Sequence, residues 1–273
     1  MEIKIGSKGD DVKKIQKKLG LVADGSFGSK TESAVKSWQK TNGLKDDGVV
    51  GSITWNKMFP TVIKEDVVIK PVTKLKIEKL KGHIPDFVLN QIPEAANKFN
   101  ITTNLRLAHF LSQCAHESGN FKVVSENLNY SVNGLKKTFG KYFPGNLAES
   151  YAKQPEKIAS RVYANRMDNG DEASKEGYKF RGMGYLQVTG KSNYKKFSDF
   201  IGEDCVANPD LVATKYPLAS AGFFFESNKL WSICDLGSTD EVVKRLTKRI
   251  NGGYNGLEDR LEKFKKYHNL LVG

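Results

Sequence analysis

The sequence predicts a mainly α-helical protein, with a small three-helix N-terminal domain joined to a larger, mostly helical domain. In the first sixty residues, apolar side chains such as Val12, Ile15 and Leu19 recur at three- and four-residue spacing. After residue 80, helix-period segments alternate with Gly, Asn and Asp turns, and strand-like runs are few. Because 273 residues exceed the usual size of one domain, we expect domains over 1–60 and 80–273.

An internal repeat divides the N-terminal domain. The segment DGSFGSKT at 24–31 recurs as DGVVGSIT at 47–54. An Asp-Gly pair tolerates positive φ, and the Ser and Thr positions can cap a following helix. Each copy is therefore predicted to be a turn followed by a helix start.

Residues 61–79 differ from both flanking regions. They mix alternating Val and Ile with charged residues and proline, which is typical of a linker with some extended character. We therefore expect this segment to connect the two domains.

The net charge of +12 favours an anionic partner. Nucleic acid is not expected, because no Arg-rich run or nucleic-acid motif accompanies the charge. A charge spread over both domains suits an anionic cell envelope equally well, and a merely solvated lysine-rich surface remains an alternative. The chain start has no apolar signal region and no stretch approaches the ~20 apolar residues of a membrane span. Neither classical secretion nor integral membrane association is expected.

Cysteine and histidine usage argues against a disulfide framework and a metal site. Three cysteines, Cys114, Cys205 and Cys234, are an odd number without CxxC spacing, so we expect reduced, buried thiols. The four histidines lack metal-ligand spacing. No metal and no cofactor is expected.

One carboxyl group lies where a predicted helix meets the core. Residues 104–119 are predicted to form a helix that Gly119 can end. Leu107, Phe110 and Cys114 fall on one face of this helix. On an ideal helix Glu117 lies roughly 80° from the centre of that face. A carboxyl group there loses solvation, which favours the protonated form that a general acid needs. An ordinary surface glutamate near a helix end is the alternative.

The N-terminal motifs resemble the peptidoglycan-binding domain of cell-wall hydrolases. The patterns GxxGDDVKKIQKKLG, DGSFGxxTxxAVKxWQ and GLxxDGVVGxxTW cover nearly all of residues 5–59. The resemblance implies a module that tethers the chain to the bacterial wall. Most of the motif residues, Trp38 and Trp55 among them, are expected in the core, so no individual binding residue is assigned.

The C-terminal motifs resemble the lysozyme-like endolysin branch of glycoside hydrolase family 19, whose other members are chitinases. The runs AHESGNF, SENLNYS, RVYANRMDNGDEAS, GYKFRGMGYLQVTGKSNY and INGGYNGLEDR occur in the family's order between residues 84 and 268. The resemblance implies a mostly helical, lysozyme-like catalytic domain. It also implies an inverting reaction, in which an acid and a base lie ~6.5 to 9.5 Å apart.

The same resemblance assigns roles by position. Glu117 matches the proton donor, Glu126 matches the second acidic residue, and Thr189 matches the hydroxyl that holds the attacking water. Positions expected to contact sugar or support the cleft are Tyr130, Gln187, Asn251 and Arg260.

Further expectations concern the residues around this motif. His116 is expected to support the cleft. The aromatic rings of Tyr178, Phe180 and Tyr185 offer flat faces for stacking on sugars, although Phe180 is equally compatible with the core. The backbone at glycines 182, 184 and 190 could pass close to a sugar.

The base assignment departs from the family pattern, since the endolysin branch often has Asp where this chain has Glu126. Other acidic residues therefore remain alternatives for the base, namely Glu149, Asp168, Asp171 and Glu172.

Together the resemblances imply an endolysin that hydrolyses the β-1,4 glycosidic bonds of peptidoglycan and lyses a host cell. Such a protein is expected to be a monomer that stays in the host cytoplasm until lysis and then acts on the wall. A chitinase, or a non-catalytic wall-binding protein that keeps an inactive fold, are the alternatives.

Overall fold

The computed structural model describes residues 2–59 and 75–273, and over these ranges it is α-helical, with only isolated β-bridges. The mainly α prediction is confirmed. Chain contacts divide the protein into two compact units, Met1–Val68 and Ile69–Gly273. Most of the predicted linker lies outside the described residues. At its C-terminal end, Leu75 and Ile77 already pack against the core of the second unit.

The N-terminal unit contains three helices, as predicted. They are α1 Asp10–Lys18, α2 Ser29–Thr41 and α3 Ser52–Met58. Val12, Ile15 and Val35 are almost fully buried between them, whereas Trp38 and Trp55 pack at the edge of this core and stay partly exposed. The helix-period pattern therefore identified the centre of the core and overstated the burial of the tryptophans.

A buried glutamine stabilises the turn in the first copy of the repeat. The side-chain nitrogen of Gln16 lies within hydrogen-bond distance of Asp24 Oδ1 at 2.7 Å, the Ser26 carbonyl at 3.0 Å and Thr31 Oγ1 at 3.2 Å. The Gly25 N–H donates to Gln16 Oε1 at 2.9 Å. One amide thereby connects α1, the turn and α2.

The second copy repeats this arrangement, with α2 supplying the glutamine and α3 supplying the threonine. Its members are Gln39, Asp47, Gly48, Val49 and Thr54. The repeated unit is therefore a glutamine-centred joint between successive helices.

The predicted Ser/Thr caps are wrong. Gly28 and Gly51 precede α2 and α3, and neither helix start has a side-chain cap. Thr31 and Thr54 instead lie inside the first turn and face the buried glutamine amides. Burial explains the difference, since an amide removed from water requires partners within the protein.

The C-terminal unit is built from twelve α-helices in its described part. They are α4 Asp86–Lys98, α5 Asn104–Glu117, α6 Val132–Phe139, α7 Leu147–Tyr151, α8 Pro155–Val162, α9 Glu176–Lys179, α10 Lys191–Ile201, α11 Leu211–Thr214, α12 Pro217–Ser227, α13 Trp231–Cys234, α14 Asp240–Asn251 and α15 Leu257–Val272. Short 3-10 helices lie at Ile77–Leu80, Gly140–Tyr142 and Glu172–Ser174.

Helix α5 is the central helix of this unit. The Thr103 side chain accepts the Arg106 N–H at its start, and residues 107–115 are all buried. The sequence suggested burial on one face, but α12, α13 and α15 all pack against the helix. Burial extends to polar groups: desolvation lowers the pKa of His109 to about 4, and its ring stacks on Phe264 with 4.1 Å between centroids.

A second, smaller core lies beside the main one. It contains Leu135, Phe143 and Ile158, whereas the main core surrounds α5. The chain passes from the main core at Val124 to the smaller core at Leu128. Glu126 therefore lies where the chain crosses between the two cores.

The three cysteines are free and buried, as expected. Among the described residues, no helix has the length and apolar character needed to cross a membrane.

The glutamine joints should determine the stability of the N-terminal unit. In Gln39→Ala, the Gly48 N–H loses its acceptor, and we expect the free energy of unfolding of this unit to fall by about 1 to 3 kcal/mol. Chemical denaturation of the full chain followed by tryptophan fluorescence measures the change. Lys40→Ala, at the adjacent exposed position of α2, is the control. An equal response of both variants would contradict the role of the joint.

Candidate active site

Glu117 is the last residue of α5, and its side chain remains 32% exposed. It accepts a hydrogen bond from the Arg260 guanidinium on α15. The desolvated position expected from the helix pattern is therefore wrong. Beyond Glu117 the helix ends in Gly119, Asn120 and Phe121, which all have positive φ, and the Phe121 side chain is again buried in the main core.

Arg260 is 1% exposed, and its guanidinium pairs with the Glu117 carboxylate from the buried side. Its Nη1 also donates to Gln113 Oε1 at 2.5 Å, one helical turn before Glu117 on α5. A buried guanidinium is stable only with a carboxylate or equivalent acceptors around it. Of the two roles implied for Arg260, supporting the cleft fits its burial better than contacting sugar.

His116 connects the end of α5 to the start of α15. Its Nδ1 lies 2.6 Å from an Asp259 carboxylate oxygen, and Lys263 donates to the other oxygen at 2.5 Å. The ring lies directly against Gly256, where an added Cβ would overlap the imidazole. The position agrees with the expected supporting role.

Glu126 is held in place by three hydrogen bonds, one from its backbone and two to its carboxylate. Its N–H donates to the Gly182 carbonyl at 2.9 Å, and the Gly182 N–H donates to Glu126 Oε1 at 2.7 Å. The Tyr163 hydroxyl donates to Oε2 at 2.9 Å. Burial raises the pKa of Glu126, and the two donors and the nearby Arg181 partly offset this effect. The desolvated carboxyl group of the site is therefore Glu126.

Thr189 and Gln187 lie beside the same glycine. A Cβ added to Gly182 would lie 3.0 Å from Gln187 Oε1 and 3.1 Å from Thr189 Oγ1. Gln187 occupies the tip of a tight turn between the bridged residues Met183 and Val188, with a φ of 48°. Glu126, Gly182, Gln187 and Thr189 form what we call the Glu126 cluster.

The predicted aromatic residues differ in how deeply they are buried. Tyr130 and Tyr178 are partly buried against the smaller core, and the Arg181 guanidinium lies 4.5 Å from the Tyr178 ring. Phe180 and Tyr185 are at most 1% exposed, so the expectation of sugar stacking is wrong for Tyr185, and for Phe180 the core alternative holds. Their hydrophobic surface is used in core packing instead.

The three glycines of this region differ in environment. Gly182 belongs to the Glu126 cluster, as described above. An added Cβ would overlap the Ser220 hydroxyl at Gly184 and the Met167 side chain at Gly190. These two glycines therefore permit close packing within the protein, and the predicted approach to a sugar is wrong for them.

Asn251 is exposed at the end of α14, where its amide donates to the Asn255 carbonyl at 3.2 Å. The described residues show no hydrogen bond between Asn251 and either carboxylate. Its role toward the sugar stays a prediction.

The alternative bases are exposed or already engaged. Glu149 and Asp168 are exposed. Asp171 accepts the Ser174 N–H at 2.9 Å at the start of a 3-10 helix. Glu172 pairs with Arg161 at 2.9 Å and accepts the Tyr151 hydroxyl at 2.5 Å. Glu126, in contrast, is held by the Gly182 N–H and the Tyr163 hydroxyl.

Sequence reasoning missed two residues of the site: Gln113, which accepts from the Arg260 guanidinium that holds Glu117, and Tyr163, which donates to Glu126. Gln113 precedes Glu117 by four residues, so helical spacing could have placed both on one side of α5. Tyr163 lies within the run RVYANRM, but nothing in the sequence pairs it with Glu126. Among the described residues, no group of three or more His, Cys, Asp or Glu side chains could hold a metal ion.

Comparisons with known proteins agree with the two-unit organisation. The family model of a putative peptidoglycan binding domain matches residues 8–58, and the family model of class I chitinases matches residues 93–225. A glycosyl hydrolase family 19 domain-containing protein of Haemophilus influenzae is 38% identical over 227 residues, which are 82% of this chain and 96% of the relative.

Two solved structures show weaker similarity. Chitinase C from Streptomyces griseus is 16% identical, with a TM-score of 0.42 over 74% of this chain and 76% of its own. An endolysin of the Burkholderia phage AP3 is 16% identical, with a TM-score of 0.34 over 98% of this chain and its own full length. The family assignment depends on the sequence relationships alone.

A catalytic-domain match and a relative aligned over nearly its whole length lead to the same assignment. The chain belongs to glycoside hydrolase family 19 and is a glycoside hydrolase with an N-terminal peptidoglycan-binding domain.

Proposed function

We propose that this protein is an endolysin that hydrolyses the β-1,4 bonds between the amino sugars of peptidoglycan by an inverting mechanism. The Glu126 cluster is the observation that carries the proposal, because it fixes a carboxylate beside a hydroxyl and an amide. In this proposal residues 1–60 bind the wall, residues 61–79 connect the domains, and residues 80–273 perform the hydrolysis.

Glu126 is the proposed base. The Gly182 N–H and the Tyr163 hydroxyl orient its carboxylate, so that an oxygen lone pair can take a proton from water. Thr189 Oγ1 and Gln187 Oε1 border the same glycine and supply polar atoms that orient this water. Holding a nucleophile in place before the reaction lowers the entropic part of the barrier.

Glu117 is the proposed acid. Its carboxyl group is partly exposed before substrate binds, so a bound glycan would cover it and remove water. Loss of solvation favours the protonated carboxyl group, which can then donate a proton to the departing sugar oxygen. Arg260 and Gln113 keep the group in position while its environment changes.

The electrostatics alone also permit the reverse assignment. Glu126 is the more buried carboxyl group, and Glu117 is the one paired with a guanidinium. The family resemblance favours Glu117 as the acid. The two assignments can be distinguished with a substrate whose leaving group needs no proton donor. On such a substrate, only the variant that lacks the acid, Glu117→Gln or Glu126→Gln, should recover its activity.

The N-terminal domain supports peptidoglycan as the substrate. Tethering to an insoluble polymer raises the local concentration of the catalytic domain without any new catalytic contact. A protein of this kind acts as a monomer and waits in the host cytoplasm until lysis gives it access to the wall. The match to class I chitinases makes chitin the second candidate substrate.

The tether should affect insoluble substrates only. The full chain should clear purified peptidoglycan and not chitin, with mass spectrometry of the new reducing ends identifying the bond. Deleting residues 1–60 should lower activity on intact sacculi and leave hydrolysis of short soluble glycans nearly unchanged. Equal losses on both substrates would make the module part of the active site, and preferential clearing of chitin would support the second candidate.

Glu117→Gln keeps the shape of the side chain but cannot donate a proton. Hydrolysis of natural glycan should fall by at least ~10²-fold. Activity on an oligosaccharide with a dinitrophenyl leaving group should recover, since this group departs without protonation. Glu94→Gln, at an exposed carboxylate on α4 of the same unit, is the control. Recovery by Glu126→Gln in place of Glu117→Gln would reverse the assignment.

Glu126→Gln should lower kcat strongly, have little effect on substrate binding and remove the acidic limb of the pH profile. Added azide, which needs no deprotonation, should partly restore cleavage of the activated substrate. If the acidic limb persists with high residual activity, the base role moves to another carboxylate, with Asp168 and Glu149 the next to test.

The same variant should change stability in a pH-dependent way. Burial raises the pKa of Glu126 above its ordinary 4.5, so the folded state favours the protonated form. This contribution to stability is complete below pH 4.5 and is lost as pH rises through the folded-state value. The amide introduced by Glu126→Gln has no charge at any pH, so the variant should be more stable than the parent near neutral pH and similar to it below pH 4.5. Urea denaturation across this range measures both limits.

A further inference from the structure

A pocket of about 290 Å³ lies directly beside the Glu126 cluster. Gln187 and Thr189 form one end of it, and residues of α10 and α12 form its sides. The proposed hydrolysis uses the two cluster residues and none of the others. The pocket is therefore continuous with the proposed site but has no role in the proton transfers.

The apolar side of the pocket comes from α12. Phe223 and Phe224 line it, and both are partly exposed. Phe223 is held against Phe197 and Phe200, with ring centroids 5.5 and 5.7 Å apart. Because two aromatic rings pack against Phe223, its ring is held in place. It therefore offers the pocket a fixed apolar surface that small aliphatic groups can contact.

The polar side of the pocket comes from α10. Asn193 and Lys196, three residues apart on the same face of that helix, both line the pocket. The Asn193 amide donates to the Thr189 carbonyl at 2.7 Å, which connects this side to the Glu126 cluster. Lys196 is exposed, and no acidic side chain is among the residues that line the pocket.

This combination suits a short peptide with a carboxylate. Peptidoglycan and chitin share the β-1,4 amino-sugar backbone, but every second sugar of peptidoglycan carries a lactyl ether that is extended by a peptide. The peptide begins with a small aliphatic residue and continues with a residue that bears a free carboxyl group. An aromatic wall accommodates the methyl group, and an ammonium group pairs with the carboxylate.

We propose that this pocket binds the stem peptide of the glycan, with Lys196 pairing with a peptide carboxylate and Phe223 and Phe224 contacting the first aliphatic residue. The inference rests on the proposed function, since it deepens the substrate preference of the same site. Lys196 is a specificity-determining residue in this proposal and takes no part in proton transfer.

The test compares three soluble substrates that share a backbone. They are glycan strands with stem peptides, the same strands after an amidase has removed the peptides, and oligomers of N-acetylglucosamine. Lys196→Gln should lower kcat/KM about tenfold on peptide-bearing strands, the range of a lost charged hydrogen bond. Its kcat/KM on the other two substrates should match that of the parent protein.

Two further variants separate a specific contact from a general effect of charge. Lys195→Gln removes the neighbouring exposed lysine of α10, which does not line the pocket, and should leave all three substrates unaffected. Lys196→Arg keeps the charge and should retain most of the preference for peptide-bearing strands. An equal loss in Lys195→Gln would assign the effect to long-range attraction and overturn the proposal.

Comparison of kcat/KM among the three substrates distinguishes the remaining outcomes. Equal losses for Lys196→Gln on peptide-bearing and peptide-free strands would mean that the lysine binds the lactyl carboxylate or the sugar, which overturns the peptide assignment. Unchanged kcat/KM on every substrate would also overturn it. Failure of the parent protein to cleave either kind of strand would instead contradict the proposed function.

Discussion

The buried guanidinium of Arg260 is the group on which the geometry of the site depends. It lies between α5 and α15, the most extensively packed helix pair of the C-terminal unit, and its acceptors, Gln113 and Glu117, both belong to α5. A charge removed from water destabilises a fold unless its partners are fixed. Packing the two helices therefore also fixes the carboxylate at the end of α5.

The position of Glu117 follows from where the helix ends. Three successive residues with positive φ, 119–121, follow shortly after it and end the helical path of the chain. Non-glycine residues such as Asn120 and Phe121 adopt this conformation only at an energetic cost that the surrounding structure must offset. The result is a carboxylate held rigidly by α15 and still open to solvent.

The second carboxylate is held by different interactions. Glu126 lies where the chain crosses between the two cores, and reciprocal backbone and side-chain hydrogen bonds fix it to Gly182. One carboxylate is thus more exposed and paired with a cation, and the other is half-buried and held by neutral donors. Such a difference in environment allows two chemically similar groups to perform different steps of one reaction.

In the proposal for the pocket beside Thr189, groups other than the carboxylates determine substrate choice. Its cation and aromatic wall lie on α10 and α12, outside the segments that carry the carboxylates. Changes on these helices could therefore alter which glycan is preferred without disturbing the acid and the base. In the proposed function the peptidoglycan-binding domain contributes separately, because tethering would concentrate the enzyme on the wall.

Local sequence patterns predicted much of this protein. Helical spacing identified the three N-terminal helices, the course of α5 and the core residues Val12 and Ile15. The ordered motifs identified the family and the positions of Glu117, Glu126, Gln187 and Thr189. These features depend on spacing along the chain, which a sequence displays directly.

Contacts between distant segments decided the rest. The sequence alone determined that the chain is helical, that it has a wall-binding and a hydrolase domain, and which carboxylates are candidates. Only the tertiary structure decided that Glu117 is exposed and Glu126 is desolvated, that Tyr185 is core, and that Thr31 faces a buried glutamine. The solvation of a group depends on which segments of the chain cover it. Arg260 lies 143 positions beyond Glu117, so no local sequence pattern could have specified their pairing.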